Sequence, residues 1–309
     1  MNFTVTASAT GLSPTSGAVG SSATITAQGF AASSALTVKV GGTTAIITSG
    51  ATTGTNGSST VTFTTPAVPN GSQTVAVTDA SSNTATSGTN FTVTGITLVQ
   101  QVVANGGASL STQIFSQPDA TTIGDTLILT VGDDHSNSAT VSTVSGGGVT
   151  TWTKVTEQNG SSGQGEAEIW YGLVTSGSST GITVTLSDST NWQLANVSEW
   201  SGIAPSSPVD ASTSSAGTAL TFTAGPIITT QTGDLVISDA WTSFNSPGFT
   251  SPQGSTTSGY TALNETMAGG SHYRAWAAYQ VDTSTGPISA GWTAPESGFY
   301  AAAIAAFKP

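Results

Sequence analysis

The sequence predicts an all-β fold in two parts: a sandwich over residues 1–95 and a larger, internally duplicated sandwich module over residues 96–309. Three observations carry this. Short runs of alternating apolar and polar residues, bounded by Gly, Asn, Pro and Ser, recur along the whole chain, and no stretch has helical periodicity. Charge is uneven: up to Gly95 the only charged side chains are Lys39 and Asp79, so nearly all the acid lies beyond. Within the second part, similar blocks recur in the same order.

In the first part, alternation predicts strands at 23–28, 36–40, 44–48, 59–65, 74–79 and 91–94. Asn56-Gly57 and Pro69-Asn70-Gly71 supply the positive-φ residues that tight turns require. The run Gly11-Leu-Ser-Pro-Thr-Ser-Gly17, followed by Val19-Gly-Ser-Ser-Ala-Thr-Ile-Thr26 and Gly29-Phe30, resembles the opening of IPT/TIG-type immunoglobulin-like domains. Pro69-Asn-Gly-Ser-Gln-Thr-Val-Ala-Val77 and Phe91-Thr-Val-Thr94 resemble that family's closing strands. The resemblance covers about residues 7–95 and implies an immunoglobulin-like sandwich of a kind found in tandem on bacterial surface proteins, mostly as spacers and stalks. It implies no activity. Asn2-Phe-Thr-Val-Thr6 repeats Asn90-Phe-Thr-Val-Thr94, which reads as the last strand of a preceding domain, with Met1 an added start; an ordinary first strand reads the same.

The second part shows the stronger internal signal. Gly124-Asp-Thr-Leu-Ile-Leu-Thr-Val131 echoes Gly233-Asp-Leu-Val-Ile-Ser-Asp-Ala240, and Trp152-Thr-Lys-Val155 echoes Tyr260-Thr-Ala-Leu263. Glu168-Ile-Trp170 echoes Arg274-Ala-Trp276, and Ala195-Asn-Val-Ser-Glu-Trp200 echoes Ala302-Ala-Ile-Ala-Ala-Phe307. These blocks predict a duplication with its seam near Pro208, copy one over 96–208 and copy two over 209–309, each with about six strands. The pattern also resembles a jelly-roll-type module of bacterial surface and phage structural proteins, a resemblance that brings no catalytic residues with it.

Composition excludes several function classes. The net charge is −12, and Lys39, Lys154, Arg274 and Lys308 are the only fixed cations. No basic patch able to neutralise several phosphates can be assembled from these, which argues against nucleic acid and anionic membrane as partners. No cysteine is present, so disulfides and thiolate sites are ruled out. The longest late apolar run, residues 299–307, is far too short to span a bilayer as a helix, and no basic-then-apolar leader opens the chain.

Candidate chemistry is sparse. Gly177-Ser-Ser-Thr-Gly181 fits Gly-x-Ser-x-Gly, but a nucleophile elbow needs a strand turning into a helix, and here two strands are joined. With only His135 and His272 available, nothing in the spacing assembles a Ser/His/Asp triad. Asp133, Asp134 and Asn137 form an oxygen-rich segment of the sort that contributes to a Ca²⁺ site, although an Asx-rich turn gives the same residues. Glu166 and Glu168 share one face of a strand, the arrangement of a glycosidase acid pair and equally of a solvated strand face.

Strand parity supplies the candidate binding face. Ala167, Ile169, Tyr171 and Leu173 make one face, so Glu166, Glu168 and Trp170 point the other way; Tyr273, Ala275, Ala277, Tyr279 and Val281 leave His272, Arg274 and Trp276 opposite them. A Trp beside hydrogen-bonding groups suits glycan stacking, and packing against a second layer accounts for the same pattern. If the copies bring equivalent strands together, Arg274 is expected within ion-pair distance of Glu166 or Glu168. The functional expectation is a non-enzymatic, surface-exposed structural or adhesive protein of a bacterial cell or phage virion, glycan-binding and compatible with a homo-oligomer. The competing expectations are a carbohydrate-binding module and a β-sandwich glycoside hydrolase.

Overall fold

The computed structural model describes residues 6–309 apart from 67, 69–70, 106–109, 135–139, 160–164, 178–179, 191, 244–254, 257–258 and 269–272. Among the described residues every regular element is a β-strand. The chain divides into two compact units, with the boundary between Ile96 and Thr97.

The first unit holds β1 (Ser8–Ser13), β2 (Ser16–Gly17), β3 (Ser22–Gln28), β4 (Leu36–Val40), β5 (Thr43–Thr44), β6 (Ile46–Ser49), β7 (Ser59–Thr64), β8 (Gly71–Gln73), β9 (Val75–Asp79), β10 (Thr84–Thr86) and β11 (Phe91–Val93). They form sheets β1-β3-β7-β6, β10-β9-β4-β5 and β2-β11-β8. Period-2 alternation turns Ala23, Ile25 and Ala27 of β3 inward, together with Val38 and Val40 of β4, Val61 and Phe63 of β7, and Val75 and Val77 of β9, into one core. The strand expected at 44–48 is divided at Ala45, which is buried: Thr43–Thr44 pair with β4, a pairing that the Ala45 N–H bond to Val38 extends, and Ile46 onward pairs with β7. Gly57 has φ +72°, and a Cβ there would lie 2.3 Å from the Phe30 carbonyl oxygen, so the Asn-Gly turn is sterically fixed. Asp79 accepts hydrogen bonds from the backbone N–H of Ala31, Ser81 and Asn83 and from Asn83 Nδ2, each at 2.9 Å. The Ala31 donor foremost, then the Asn83 side chain, hold its carboxyl below the usual range. The unit's one acid is thereby committed to holding a turn.

The second unit opens with β12 (Thr97–Asn105), β13 (Leu110–Ser116), β14 (Thr126–Asp134), β15 (Val141–Gly146), β16 (Thr153–Asn159), β17 (Glu166–Leu173), β18 (Gly181–Thr190) and β19 (Trp192–Ser201). It continues with β20 (Val209–Thr229), β21 (Leu235–Ser243), β22 (Ser255–Thr256), β23 (Thr261–Ala268), β24 (Tyr273–Val281) and β25 (Gly286–Phe307). Its first half pairs a five-stranded sheet, β12-β19-β14-β17-β16, with a three-stranded one, β13-β18-β15. The second half runs β20-β25-β21-β24-β23, with β22 added to β25. Here the two long strands of 21 and 22 residues each serve two layers, changing pairing register between Ala219 and Thr221. Pairing irregularities recur at corresponding places: Lys154/Thr156 in β16 with Ala262/Asn264 in β23, and Leu98/Gln100 in β12 with Val209/Ala211 in β20.

The unit stacks four layers. Leu127, Leu129, Val131, Trp170, Ala195 and Val197 of the five-stranded sheet pack on Phe115, Ile182 and Val184 of its three-stranded partner. Val236, Ala240, Trp276, Ala302 and Ile304 pack on Phe222, Ile227, Ala290 and Trp292. Between these two sandwiches the large sheets meet face to face, β14 against β21, β17 against β25 and β16 against β20. Tyr171 meets Phe307 edge-on at 5.9 Å and 70°, and Tyr279 meets Trp200 at 4.9 Å and 71°. Aligned on strand order and bulges, Tyr171 corresponds to Tyr279 and Trp200 to Phe307, so the two ring pairs are one contact seen twice.

Candidate functional site

β17 is buried on both faces, because its sheet lies between its own three-stranded partner and the second half. Parity correctly assigns which residues share a face; the expectation of a solvated side is overturned, since every residue from Glu166 to Trp170 is buried. Glu166, Glu168 and Trp170 project into the interior of the first sandwich. Ile169 and Tyr171 face the second half. Trp170 is 8% exposed and packs with Leu129, Val131 and Val184, and Trp276 is 3% exposed and stacks on Trp292 with centroids 6.0 Å apart. Neither ring presents a flat face that a sugar could cover.

The interior acids are differently satisfied. Glu168 accepts the Val141 N–H at 2.9 Å and Trp170 Nε1 at 2.5 Å, and Lys154 Nζ lies 3.1 Å away. Lys154, with its side chain 29% exposed, also pairs with Glu157 and lies 5.1 Å over the Trp170 ring, closing the sandwich's edge. Glu166 lies across from Asp133 in the β14–β17 register, is fully buried, and has no hydrogen-bond donor to either oxygen. Burial first, then the Asp133 charge, then that of Glu168, push its carboxyl far above the usual range.

The structure therefore brings Asp133, Glu166, Glu168 and Trp170 together and places Arg274 and Trp276 elsewhere, on the interior face of the second sandwich. Arg274 is fully buried there. The expected pairing of Arg274 with Glu166 or Glu168 does not form: β17 packs on β21 and β25, and the two side chains point into different sandwiches. The equivalence behind it also shifts by two residues. The register matches Glu166 to Arg274, Glu168 to Trp276 and Trp170 to Ala278. His272 and Asn137 lie outside the described residues. Asp133 is an interior strand residue rather than part of an Asx turn, Asp134 ends β14, and among the described residues no group of three His, Asp or Glu is arranged to hold a metal ion. Ser178 and Ser179 of the Gly-x-Ser-x-Gly match also lie outside the described residues.

Two acid clusters escaped the sequence reading. Asp125 stands beside fully buried Glu199, and Asp234 stands beside Asp210 and Asp282. The signal was the paired Gly-Asp at 124–125 and 233–234, read only as a repeat marker.

A search of curated proteins finds no match. Among solved structures the chain is similar to SGBP-B from a complex xyloglucan utilization locus in Bacteroides uniformis, at 10% identity over 64% of this chain and 73% of that one, with TM-score 0.23. It is also similar to the Bacteroides ovatus mixed-linkage glucan utilization locus SGBP-B in complex with a mixed-linkage heptasaccharide, at 14% identity over 59% of this chain and 49% of that one, with TM-score 0.20. At these scores the likeness carries no argument about this chain. The family model for the IPT/TIG domain matches residues 7–93, the span whose strands and single core are described above. Residues 7–93 are an IPT/TIG domain of immunoglobulin-like fold.

Proposed function

We propose that this is a non-enzymatic, surface-exposed structural or adhesive protein of a bacterial cell or phage virion, in which the IPT/TIG domain is a spacer and residues 97–309 are a duplicated sandwich that meets the partner. The observation that supports it best is where the acids are. The spacer's one carboxylate is used up in a turn, and Glu166 and Glu168, the pair a glycosidase would need, lie inside the first sandwich where substrate has no access. Glycans are the ligand class to test first, on surfaces other than the two buried Trp rings.

A glycan array together with a polysaccharide hydrolysis panel tests this on the full chain. No turnover is expected, and binding, where found, persists after removal of residues 1–95. Turnover abolished by Glu166→Gln or Glu168→Gln in a folded variant overturns the assignment, and loss of binding on removing the spacer overturns the division of labour.

A further inference from the structure

The two Gly-Asp turns have the same build. Gly124 and Gly233 have φ +95° and +92°. Gly124 N–H donates to Val174 and Val174 N–H to Asp125, at 3.0 and 2.9 Å; Gly233 N–H donates to Asp282 and Asp282 N–H to Asp234, at 2.7 and 2.8 Å. Each turn directs its carboxyl toward acids from other strands, and those acids are not equivalent between the halves. In the first half the neighbour is Glu199 of β19, whose oxygens already accept Thr122 N–H at 2.7 Å and Gln100 Nε2 at 2.5 Å. In the second half, the ends of β20, β25, β21 and β24 present Asp210, Lys308, Asp234 and Asp282 in sheet order.

Around Asp234 the donors are spoken for. Asp210 takes Thr230 N–H and Oγ1, both at 2.6 Å, and Asp282 takes Thr229 Oγ1 at 2.9 Å and Ser284 N–H at 3.1 Å. Asp234 is fully buried, no amide, hydroxyl or ammonium donates to either oxygen, and its side-chain hydrogen-bonding neighbour is the Asp210 carboxyl. Tyr260, the other titratable group on this side, is held neutral by burial and by the Asp282 charge. Three carboxyls thus share one cation, Lys308, and no trio of acids here is arranged to hold a metal ion. Like charges this close in a dry site do not all ionise.

We propose that the Gly233-Asp234 turn is a proton-holding site that makes the second unit a pH-sensitive module, firm in mild acid and loosened as the pH rises. Burial, then the Asp210 hydrogen bond and charge and the Asp282 charge, against Lys308, push Asp234 up to about 8. Burial and then the Glu199 charge push Asp125 up to about 6. A carboxyl raised in the folded state binds its proton more tightly there than in the unfolded chain, so stability is highest below the unfolded value of about 4 and falls as pH rises to the folded value, then levels.

All seven Trp residues lie beyond Thr97, so Trp fluorescence in urea reads the second unit alone in the full-length chain. Between about pH 5 and pH 7.5 the unfolding constant of the native chain should rise relative to Asp234→Asn by about tenfold per pH unit, and the two curves should run parallel above about pH 8.5. Asp125→Asn should show the same divergence only below about pH 6. Curves parallel to the native chain's throughout overturn the proposal. If Asp234→Asn does not fold, Asp210→Asn serves: removing that charge should move the Asp234 step to lower pH, and an unmoved step overturns it equally.

Discussion

Glu166 and Glu168 are two residues apart on one face of β17, yet they stand in opposite circumstances. Glu168 gathers a backbone N–H, an indole N–H and an ammonium; Glu166 receives no donor and lies against Asp133. Glu168→Ala should therefore orphan the Val141 and Trp170 donors and lower the stability of the second unit by about 2–4 kcal/mol, read from urea unfolding by Trp fluorescence. Glu166→Gln should act in reverse. It removes a buried group that has to carry a proton, so the variant is at least as stable as the native chain above about pH 5, and its advantage keeps widening beyond pH 8, where that of Asp234→Asn has levelled. None of this was legible in the alternation Glu-Ala-Glu-Ile-Trp, because alternation tells which side chains share a face and not what covers it. The Gly-Asp pairs were legible as a repeat but not as chemistry, since their acidic neighbours come from strands distant in sequence.

At the scale of elements, most strands of the first unit were readable because each has one buried and one solvated face, the condition under which period-2 patterning is unambiguous. The division at Ala45 was not, since it depends on the two ends of the run pairing with strands of different sheets, β4 and β7. In the second unit, matching the words Glu-Ile-Trp and Arg-Ala-Trp misplaced the equivalence by two positions. The bulges at Lys154 and Ala262 correct it, because pairing geometry persists where side chains have changed. Entry into β17 depends on Gly165, with φ +86°, where a Cβ would lie 1.9 Å from Trp241 Nε1 and 2.7 Å from the Asp133 carbonyl oxygen. Gly165→Ala combines backbone strain with displacement of a fully buried indole and should cost about 1–3 kcal/mol, measured by the same urea titration. A variant as stable as the native chain would show that Trp241 has room to move.

For the whole molecule, the two-part division and the all-β class follow from charge asymmetry and turn spacing, whereas the four-layer stack does not. Two sandwiches whose large sheets turn Ile128, Ile169, Leu194 and Ile237 outward have to cover those side chains, and here each covers the other's. The related ring contacts make a quantitative test. Tyr171→Ala and Tyr279→Ala should each destabilise the unit by about 2–4 kcal/mol, with similar values because each ring fills the same place against its mate. Markedly unequal losses would show that one half carries the interface. Tyr171 on Phe307 and Tyr279 on Trp200 stand as the two matching contacts of an isologous interface do, here within one chain. Because both halves belong to one chain, their encounter is intramolecular, at an effective concentration on the order of millimolar, so the interface does not come apart on dilution. A substitution therefore changes one side of the interface only, and the two Gly-Asp turns, set among different acids, show how far the two halves differ.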